Sequence, residues 1–257
     1  VWSIAFGLTD DGTALPAAEG TRVRAAESFA FAAMTVAFAG LGALLASRRP
    51  RNPIGWILLA SPLFLAYTEF ARDWYLHTYY VDPGSLPQPA MVVWAANWGW
   101  VPGFTPLLTL LLVLFPEGRP PSRRWRPVVW LGGLAIAVLV LGYAFAPGRL
   151  EDYPRVTNPI GVSGALGDLF EVFLNLGFVL FSVGAIGAMA SLAIRYRRSR
   201  GVERQQLKWM AAAAVLVVVS WLVSAFFDQV LAIDISLLIL VALLALPVAA
   251  TVAVLRY

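Results

Sequence analysis

The sequence predicts an all-α protein, a polytopic bundle of transmembrane helices, and three observations lead to this fold class. First, 60% of the 257 residues are hydrophobic and only 13% are charged, whereas an ordinary soluble domain has about 25% charged residues. Second, the mean hydropathy is +0.74, too apolar for a cytosolic globular enzyme. Third, the apolar runs are long and continuous, unlike the short alternating segments of an outer-membrane barrel. The absence of cysteine excludes a disulfide-stapled secreted module.

Seven apolar segments approach or exceed the roughly 20 residues that a helix needs to cross a bilayer. They span residues 28–47, 54–74, 90–115, 127–146, 172–194, 209–227 and 235–255. Helices are expected because backbone groups in lipid have no water with which to form hydrogen bonds. Residues 1–7 are apolar but too short to cross, and the chain begins with Val rather than Met. We interpret them as the outer stub of an upstream helix, with an interfacial segment as the alternative. All 257 residues are expected to form a single integral membrane domain.

Local signals support the bounds of several segments. Asn52 followed by Pro53 is typical of an N-cap and first helical turn, and Pro127 opens the fourth segment in the same way. Pro102 and Pro106 lie inside the third segment and predict a kink near its outer third. Small residues in the fifth segment predict close packing within the bundle, with a dimer seam as the alternative. These residues are Gly184, Gly187, Ala188 and Ser191.

Charge placement predicts the orientation of the bundle. The first, third and fifth connections and the C-terminus share one side, which holds fourteen of the 19 cationic residues and two of the 15 acidic residues. Because Lys and Arg accumulate in cytoplasmic loops, this side and the C-terminus are expected to be cytoplasmic. The cations are split over three short loops, which favours contact with anionic lipid over nucleic acid. The expected lipid contacts are Arg48, Arg49, Arg51, Arg123, Arg124, Arg126, Arg197, Arg198, Arg200, Arg204 and Lys208.

The tetrapeptide Asn-Pro-Ile-Gly occurs twice, at residues 52–55 and 158–161. The two copies lie on opposite sides of the predicted membrane, where an inverted repeat of the kind found in transporters would place them. Four residues of common capping chemistry are the simpler explanation. We therefore expect no internal duplication.

The densest polar cluster lies near the outer end of the second segment. Glu69 lies about 22 Å along the helix from Ile54, still below the outer headgroups, where a carboxylate is costly and is usually functional or paired. Arg72 has the spacing for an ion pair with Glu69, and Glu69, Asp73 and His77 would share one helical stripe. Aromatic and amide side chains open the third segment nearby. The candidate ligand-binding or sensing residues are Glu69, Arg72, Asp73, His77, Trp94, Asn97 and Trp98.

Three interpretations of this cluster remain open. It could be an aromatic interfacial belt with a locally satisfied ion pair, or an outward-facing pocket that binds a ligand or responds to pH. The third is a metal site at Asp73 and His77, although two ligands do not make a site, so neither a metal nor a cofactor is expected. Catalysis is not expected either, since the chain has one His, no Cys, no phosphate-binding Gly-rich loop and no His-Glu-x-x-His motif.

Three motifs at the basic loops are more specific. They are Arg-Asn-Pro-Ile-Gly-Trp at 51–56, Leu-Phe-Pro-Glu-Gly-Arg-Pro-Pro-Ser-Arg-Arg-Trp-Arg-Pro at 114–127 and Arg-Gly-Val-Glu-Arg-Gln-Gln-Leu-Lys-Trp at 200–209. Together with Val-Leu-Arg-Tyr at 254–257, they resemble the multi-span N-terminal membrane region of bacterial sensor histidine kinases, of the type common in Actinobacteria and Chloroflexi. The likeness extends from about residue 30 to the end of the sequence.

The resemblance implies a sensor region in the bacterial plasma membrane that passes an outer or membrane signal to a cytoplasmic kinase module after residue 257. Its partners would be a second copy in a homodimer, that kinase module and a response regulator. No catalytic residue of the family can be assigned here, because the only histidine, His77, lies on the predicted outer side. The alternatives are a transporter or channel, in which the kink and Glu69 would belong to the pathway, and a passive membrane scaffold.

Overall fold

The computed structural model describes residues 25–150, 152–231 and 242–256, and helices dominate them. The helices are α1 (Ala25–Arg48), α2 (Pro53–Leu76), α3 (Pro89–Leu108), α4 (Leu110–Leu114), α5 (Arg126–Phe145), α6 (Ala165–Arg198), α7 (Gly201–Leu231) and α8 (Ala245–Arg256). A π-helical turn, His77–Val81, extends α2, and a 3-10 turn, Arg123–Trp125, precedes α5. Two short strands, β1 (Arg149–Leu150) and β2 (Tyr153–Thr157), lie between α5 and α6. The all-α prediction is confirmed.

Within the described residues, five helical stretches are long and apolar enough to cross a membrane. They are Phe31–Arg48, Pro53–Val81, Pro89–Leu114, Arg123–Phe145 and Ala165–Arg198, and they correspond to the first five predicted segments. The sixth predicted segment, 209–227, lies within α7, and α8 covers the end of the seventh. The beginning of the seventh segment and the proposed stub at 1–7 lie outside the described residues. The helical bundle is therefore confirmed, whereas the count of seven crossings stays a prediction.

The connections between the helices gather at two ends of the bundle. At the basic end, the α1–α2 turn lies against the turn after α4, where the Asn52 amide donates a hydrogen bond to the Pro116 carbonyl (3.1 Å). The C-terminal end of α6 joins them, because Arg195 donates to the carbonyl of Leu112 (2.8 Å). At the aromatic end, the β1–β2 hairpin lies against the turn after α2, where Arg155 donates to the Tyr79 carbonyl (3.1 Å). The three predicted basic loops therefore share one end.

Close backbone contact holds α1 against α2. A Cβ atom on Gly42 would lie 2.5 Å from the backbone nitrogen of Leu59, and one on Gly55 would lie 2.6 Å from that of Ala46. Such contacts need glycine because a larger side chain would separate the helices. Helices α5 and α6 are also in contact through small residues, since the buried Gly184 packs on Gly132, where a Cβ atom on Gly184 would lie 3.7 Å from the Gly132 nitrogen. The predicted role of the small residues of α6 in bundle packing is confirmed.

The central element is the irregular helix formed by α3 and α4. In its most apolar stretch 61% of the residues are buried, whereas in that of α6 only 17% are. Helix α6 therefore exposes most of its apolar surface, as a lipid-facing helix would. The helix continues through Pro102 and Pro106 and is interrupted at Thr109, whose hydroxyl donates to the Thr105 carbonyl (2.8 Å). The Thr105 carbonyl also accepts from the Thr109 backbone N–H (3.2 Å), and a threonine hydroxyl that bonds back into the helix is a known cause of bending. The interruption therefore lies nearer the basic end than the predicted outer third.

Candidate functional site at the aromatic end

The ion pair predicted between Glu69 and Arg72, in the C-terminal half of α2, is present. Arg72 Nη2 lies 3.5 Å from Glu69 Oε2, and each side chain is 28% exposed. Because α2 remains α-helical as far as Leu76, Glu69 and Asp73 lie on the same face of the helix. Asp73 is buried, with only 5% of its surface exposed. A carboxylate at that depth is kept only where it is paired or functional, so Asp73 belongs to the candidate site.

The helical geometry changes at His77. The backbone N–H of His77 donates to the carbonyls of both Asp73 and Trp74, and the chain continues as the π-helical turn. The predicted stripe therefore runs regularly from Glu69 to Asp73 but reaches His77 where the helix widens. Single π-helical turns often mark functional sites, because the extra residue disturbs the regular hydrogen-bond ladder.

A ring cluster around Tyr75 lies at this end of the bundle. The hairpin residues that contact it, Tyr153 and Arg155, were not among the residues predicted from the sequence. The Tyr75 ring packs against those of Tyr79 (5.0 Å between centroids), Tyr80 (5.9 Å) and Tyr153 (5.1 Å). Arg155 places its guanidinium 4.1 Å from the centre of the Tyr80 ring. Its backbone N–H donates to the Tyr75 hydroxyl (3.4 Å). The hairpin is thus docked on the C-terminal end of α2 by aromatic and cation–π contacts.

Electrostatics connect the hairpin with the acidic cluster. Burial raises the pKa of the Tyr153 phenol well above its usual value, and the carboxylates of Asp152 and Glu69 raise it further. The Arg72 guanidinium opposes them. Tyr153 therefore stays protonated, and its environment depends on the charges of the Glu69–Arg72 pair.

The predicted residues of α3 serve mainly to cap α5. Trp94 Nε1 donates to the Ala144 carbonyl (2.9 Å) and Asn97 Nδ2 donates to that of Tyr143 (3.3 Å). Asn158 also donates to Ala144 (3.0 Å) and to Ala146 (2.8 Å). The last carbonyls of a helix have no partner within it. These side chains supply donors there, a structural role that the sequence did not reveal.

The seven predicted residues therefore form two groups on neighbouring, packed helices. Four lie on α2 and its π-helical turn, and Trp94, Asn97 and Trp98 lie on α3. The helices are joined at this end by the Tyr67 hydroxyl, which donates to the Val92 carbonyl (3.1 Å). The Trp98 ring packs edge-to-face on that of Trp94, with centroids 5.8 Å apart. The structure thus assembles a polar and aromatic site between α2, α3 and the hairpin.

Several buried polar atoms of this site lack a hydrogen-bond partner within the described part of the chain. They are Arg72 Nε, Trp74 Nε1, Thr78 Oγ1, Tyr80 Oη, Asn97 Oδ1 and Trp98 Nε1. Buried polar groups are nearly always satisfied, and exceptions point to ordered water, an ion or a ligand. Their concentration at one end of α2 and α3 provides donors and acceptors for a small polar partner.

Two further features concern metal binding and the basic loops. Across residues 25–150, 152–231 and 242–256, no group of three His, Asp or Glu side chains comes together to hold a metal ion. At the basic end, the predicted lipid-contact residues are all exposed to the surroundings. They are therefore accessible to headgroups or solvent.

Comparison of the chain with models of protein families, with curated proteins and with solved structures gave no match. The fold and the site are therefore interpreted from their own geometry.

Proposed function

We propose that this chain is the signal-input region of a bacterial two-component sensor histidine kinase, with seven membrane crossings and a cytoplasmic basic end. The observation that supports it most directly is the cluster of buried, unpartnered polar atoms at the aromatic end. A small polar ligand, a change in hydration or a change in the surrounding lipid would alter the free energy of this cluster. The choice of family is based on the motifs at 51–56, 114–127 and 200–209, which resemble those of sensor histidine kinases.

In this proposal, a signal shifts an equilibrium between two arrangements of the bundle. A signal can do so only by interacting differently with the two states, by a few kcal/mol for a clear switch. The route starts at the π-helical turn of α2 and the hairpin, and passes through α3 and α4 to α6 by way of Arg195. It ends in α8, which packs against α7 and α1 and would lead into the cytoplasmic module.

The first experiment is to read the gene beyond residue 257 and, where a kinase core follows, to purify the complete protein. Autophosphorylation is then measured in liposomes for the unaltered chain and for Glu69→Gln. We expect Glu69→Gln to shift basal phosphorylation about fivefold or more, since it breaks the ion pair and changes the charge beside Tyr153. Glu171→Gln is the matched control, because Glu171 is an exposed acid of α6.

Three results would contradict the proposal. A stop codon directly after residue 257 removes the kinase module. Equal phosphorylation in Glu69→Gln, Glu171→Gln and the unaltered protein removes the sensing role of the cluster. Solute flux through liposomes that is lost in Glu69→Gln would instead indicate a transporter.

The orientation of the bundle is tested separately by labelling introduced cysteines. The chain contains no cysteine of its own, so each introduced cysteine is labelled without background. Single cysteines at Ser85 and Ser163, both exposed at the aromatic end, should react with a membrane-impermeant maleimide on intact cells. A cysteine at the exposed Ser122 of the basic end should react only after the cells are opened. The opposite pattern would place the basic end outside.

A further inference from the structure

An open cavity of about 720 Å³ lies at the basic end, between the α1–α2 turn and the turn that follows α4. It is lined by Arg48, Arg49, Pro50, Arg51, Asn52, Glu117 and Arg119. Four guanidinium groups thus surround a space that contains a single carboxylate. Within the described part of the chain, none of these four arginines forms an ion pair with a carboxylate within 4.0 Å. The cavity therefore has an uncompensated positive charge.

The walls of the cavity are held in place by contacts that do not involve the arginine side chains. Asn52 accepts a hydrogen bond from the Ile54 N–H (3.0 Å) and donates to the Pro116 carbonyl (3.1 Å), which ties the two turns together. Gly118 has φ +76°, and a Cβ atom there would lie 2.5 Å from Asn52 Oδ1. The second turn is thus pressed directly on the first. A preformed cavity binds with less loss of conformational entropy.

A tryptophan beside the cavity indicates its depth relative to a membrane. Trp56, in the first turn of α2, donates from Nε1 to the carbonyl of Pro50, a lining residue, at 2.9 Å. Its ring is 53% exposed. Tryptophan is enriched at the level of lipid headgroups because its ring is apolar and its N–H is polar. An exposed tryptophan anchored to the wall places the arginines at headgroup depth.

We propose that this cavity is a binding site for a phosphate group, supplied by the headgroup of an anionic phospholipid. Guanidinium groups bind phosphate through paired, charge-assisted hydrogen bonds. Basic pockets between transmembrane helices on the cytoplasmic side suit anionic headgroups, and the volume lies within the usual range for small-molecule sites. The proposal is independent of the kinase assignment. It differs from general attraction of basic loops to the bilayer, because one defined cavity is responsible.

The test compares two variants that lose the same charge from the same end of the molecule. The cavity variant carries Arg→Gln at four lining positions, Arg48, Arg49, Arg51 and Arg119. The control carries Arg→Gln at four exposed positions away from the lining, Arg124, Arg197, Arg198 and Arg200. The full chain is extracted from vesicles of equal parts phosphatidylcholine and phosphatidylglycerol, and retained phosphatidylglycerol is measured by native mass spectrometry.

We expect the cavity variant to retain about tenfold less phosphatidylglycerol than the control. Equal losses in both variants would overturn the proposal, since they would indicate attraction by net charge alone. Glu117→Gln provides a test with the opposite sign, because it removes the single carboxylate of the cavity. It should increase retention, a gain that misfolding does not produce, and no gain would count against the site.

A second arm separates the two sources of phosphate. Inorganic phosphate is added to the unaltered protein in detergent, and the thermal midpoint is compared with that after addition of phosphatidylglycerol. A larger stabilisation by phosphatidylglycerol, lost in the cavity variant, supports the lipid headgroup. Equal stabilisation by inorganic phosphate would overturn the lipid source and assign the cavity to a soluble phosphate. No stabilisation by either compound would overturn the site.

Discussion

The two Asn-Pro-Ile-Gly segments lie at opposite ends of the bundle and use asparagine in the same way. Asn52 and Asn158 each accept a hydrogen bond from the N–H of the isoleucine two residues later, at 3.0 and 3.1 Å. Each also donates from its amide to a carbonyl that ends another helical segment. The repeated sequence therefore performs the same capping task twice. This similarity needs no duplication of the chain, which agrees with the simpler sequence-based explanation.

The surroundings of the two segments differ. Asn52 begins the long helix α2 and borders the open, arginine-lined cavity. Asn158 is buried and connects the end of α5 with the hairpin, whose Tyr153 ring packs on that of Tyr75. The basic end is thus accessible to ions and headgroups, whereas the aromatic end is closed by side chains. Identical local chemistry supports an open site at one end and a covered site at the other.

The largest effect is expected from a methyl group on the glycines of the two segments. In Gly55→Ala the new Cβ would lie 2.6 Å from the Ala46 backbone nitrogen, with no flexible neighbour to yield. In Gly161→Ala the nearest atom is the Ala146 carbonyl oxygen, at 3.0 Å. We expect unfolding free energies to fall by about 3 and about 1 kcal/mol, respectively. Detergent-induced unfolding measures both values.

Gly40→Ala is the control for this pair, because nothing lies within 4 Å of a Cβ atom at that position. It should be neutral or slightly stabilising, since alanine favours helix over glycine. Equal losses of unfolding free energy in Gly55→Ala and Gly161→Ala would contradict the closer contact that the structure gives Gly55, on Ala46, than Gly161, on Ala146.

A change from asparagine to aspartate should lower the free energy of unfolding by about 2 kcal/mol more at Asn158 than at Asn52. In Asn158→Asp a buried carboxylate would replace the amide that donates to the carbonyls of Ala144 and Ala146, so electrostatic repulsion replaces two hydrogen bonds. Asn52→Asp also loses a hydrogen bond, the one to the Pro116 carbonyl, but it keeps the acceptor for the Ile54 N–H and places the new charge beside the arginines of the cavity. Thermal unfolding should therefore show a larger loss for the first variant than for the second. A reversed order would contradict the described surroundings.

The free energy of opening the hairpin should fall by about 1 kcal/mol when the guanidinium of Arg155 is removed. Arg155→Gln takes away both the contact 4.1 Å from the Tyr80 ring centre and the hydrogen bond to the Tyr79 carbonyl. Amide hydrogen exchange across residues 152–157 should become faster, while α1 and α2 near the basic end remain unchanged. Arg149→Gln is the control, because Arg149 is an exposed residue of the adjacent strand. Faster exchange in both variants would point to general charge loss.

The smallest effect concerns pH. Because the pKa of Tyr153 is raised on folding, its contribution to stability is present below the pKa of an unfolded tyrosine and is lost as the pH rises above it. Tyr153→Phe cannot ionise, so it should match the unaltered protein at neutral pH and resist alkali better above about pH 10. Hydrogen exchange in the hairpin, measured against pH, checks this. Identical alkaline profiles would contradict a buried Tyr153.

Features that depend on neighbouring residues could be predicted from the sequence. The start of α2 follows from Asn52 and Pro53, and the ion pair follows from the spacing of Glu69 and Arg72. Long apolar runs predicted the helices of the bundle, with α6 and α7 extending further than their apolar cores. In each case the interacting groups lie within one helix, so the helical spacing of the residues and their capping chemistry are sufficient to predict the feature.

Features that depend on distant residues could not be predicted. Trp94 donates a hydrogen bond to the carbonyl of Ala144, 50 positions later in the sequence, and Arg155 donates one to the carbonyl of Tyr79, 76 positions earlier. The hairpin has strands of only 2 and 5 residues, too short for a pattern of alternation to stand out. Its position depends on the docked tyrosines of α2. Tyr153, the single aromatic residue between Asp152 and Asn158 in the sequence, was the available signal, because it lies beside charged residues in a polar loop.

Arg195 has a consequence for the order in which the molecule is made. Its guanidinium donates to the carbonyls of Leu112 and Phe115, which are synthesised 83 and 80 residues before it. Domains assemble from the N-terminus as the chain emerges from the ribosome. When the end of α6 leaves the ribosome, the acceptors for its arginine have already been synthesised. The guanidinium can therefore form these hydrogen bonds before α7 and α8 are made.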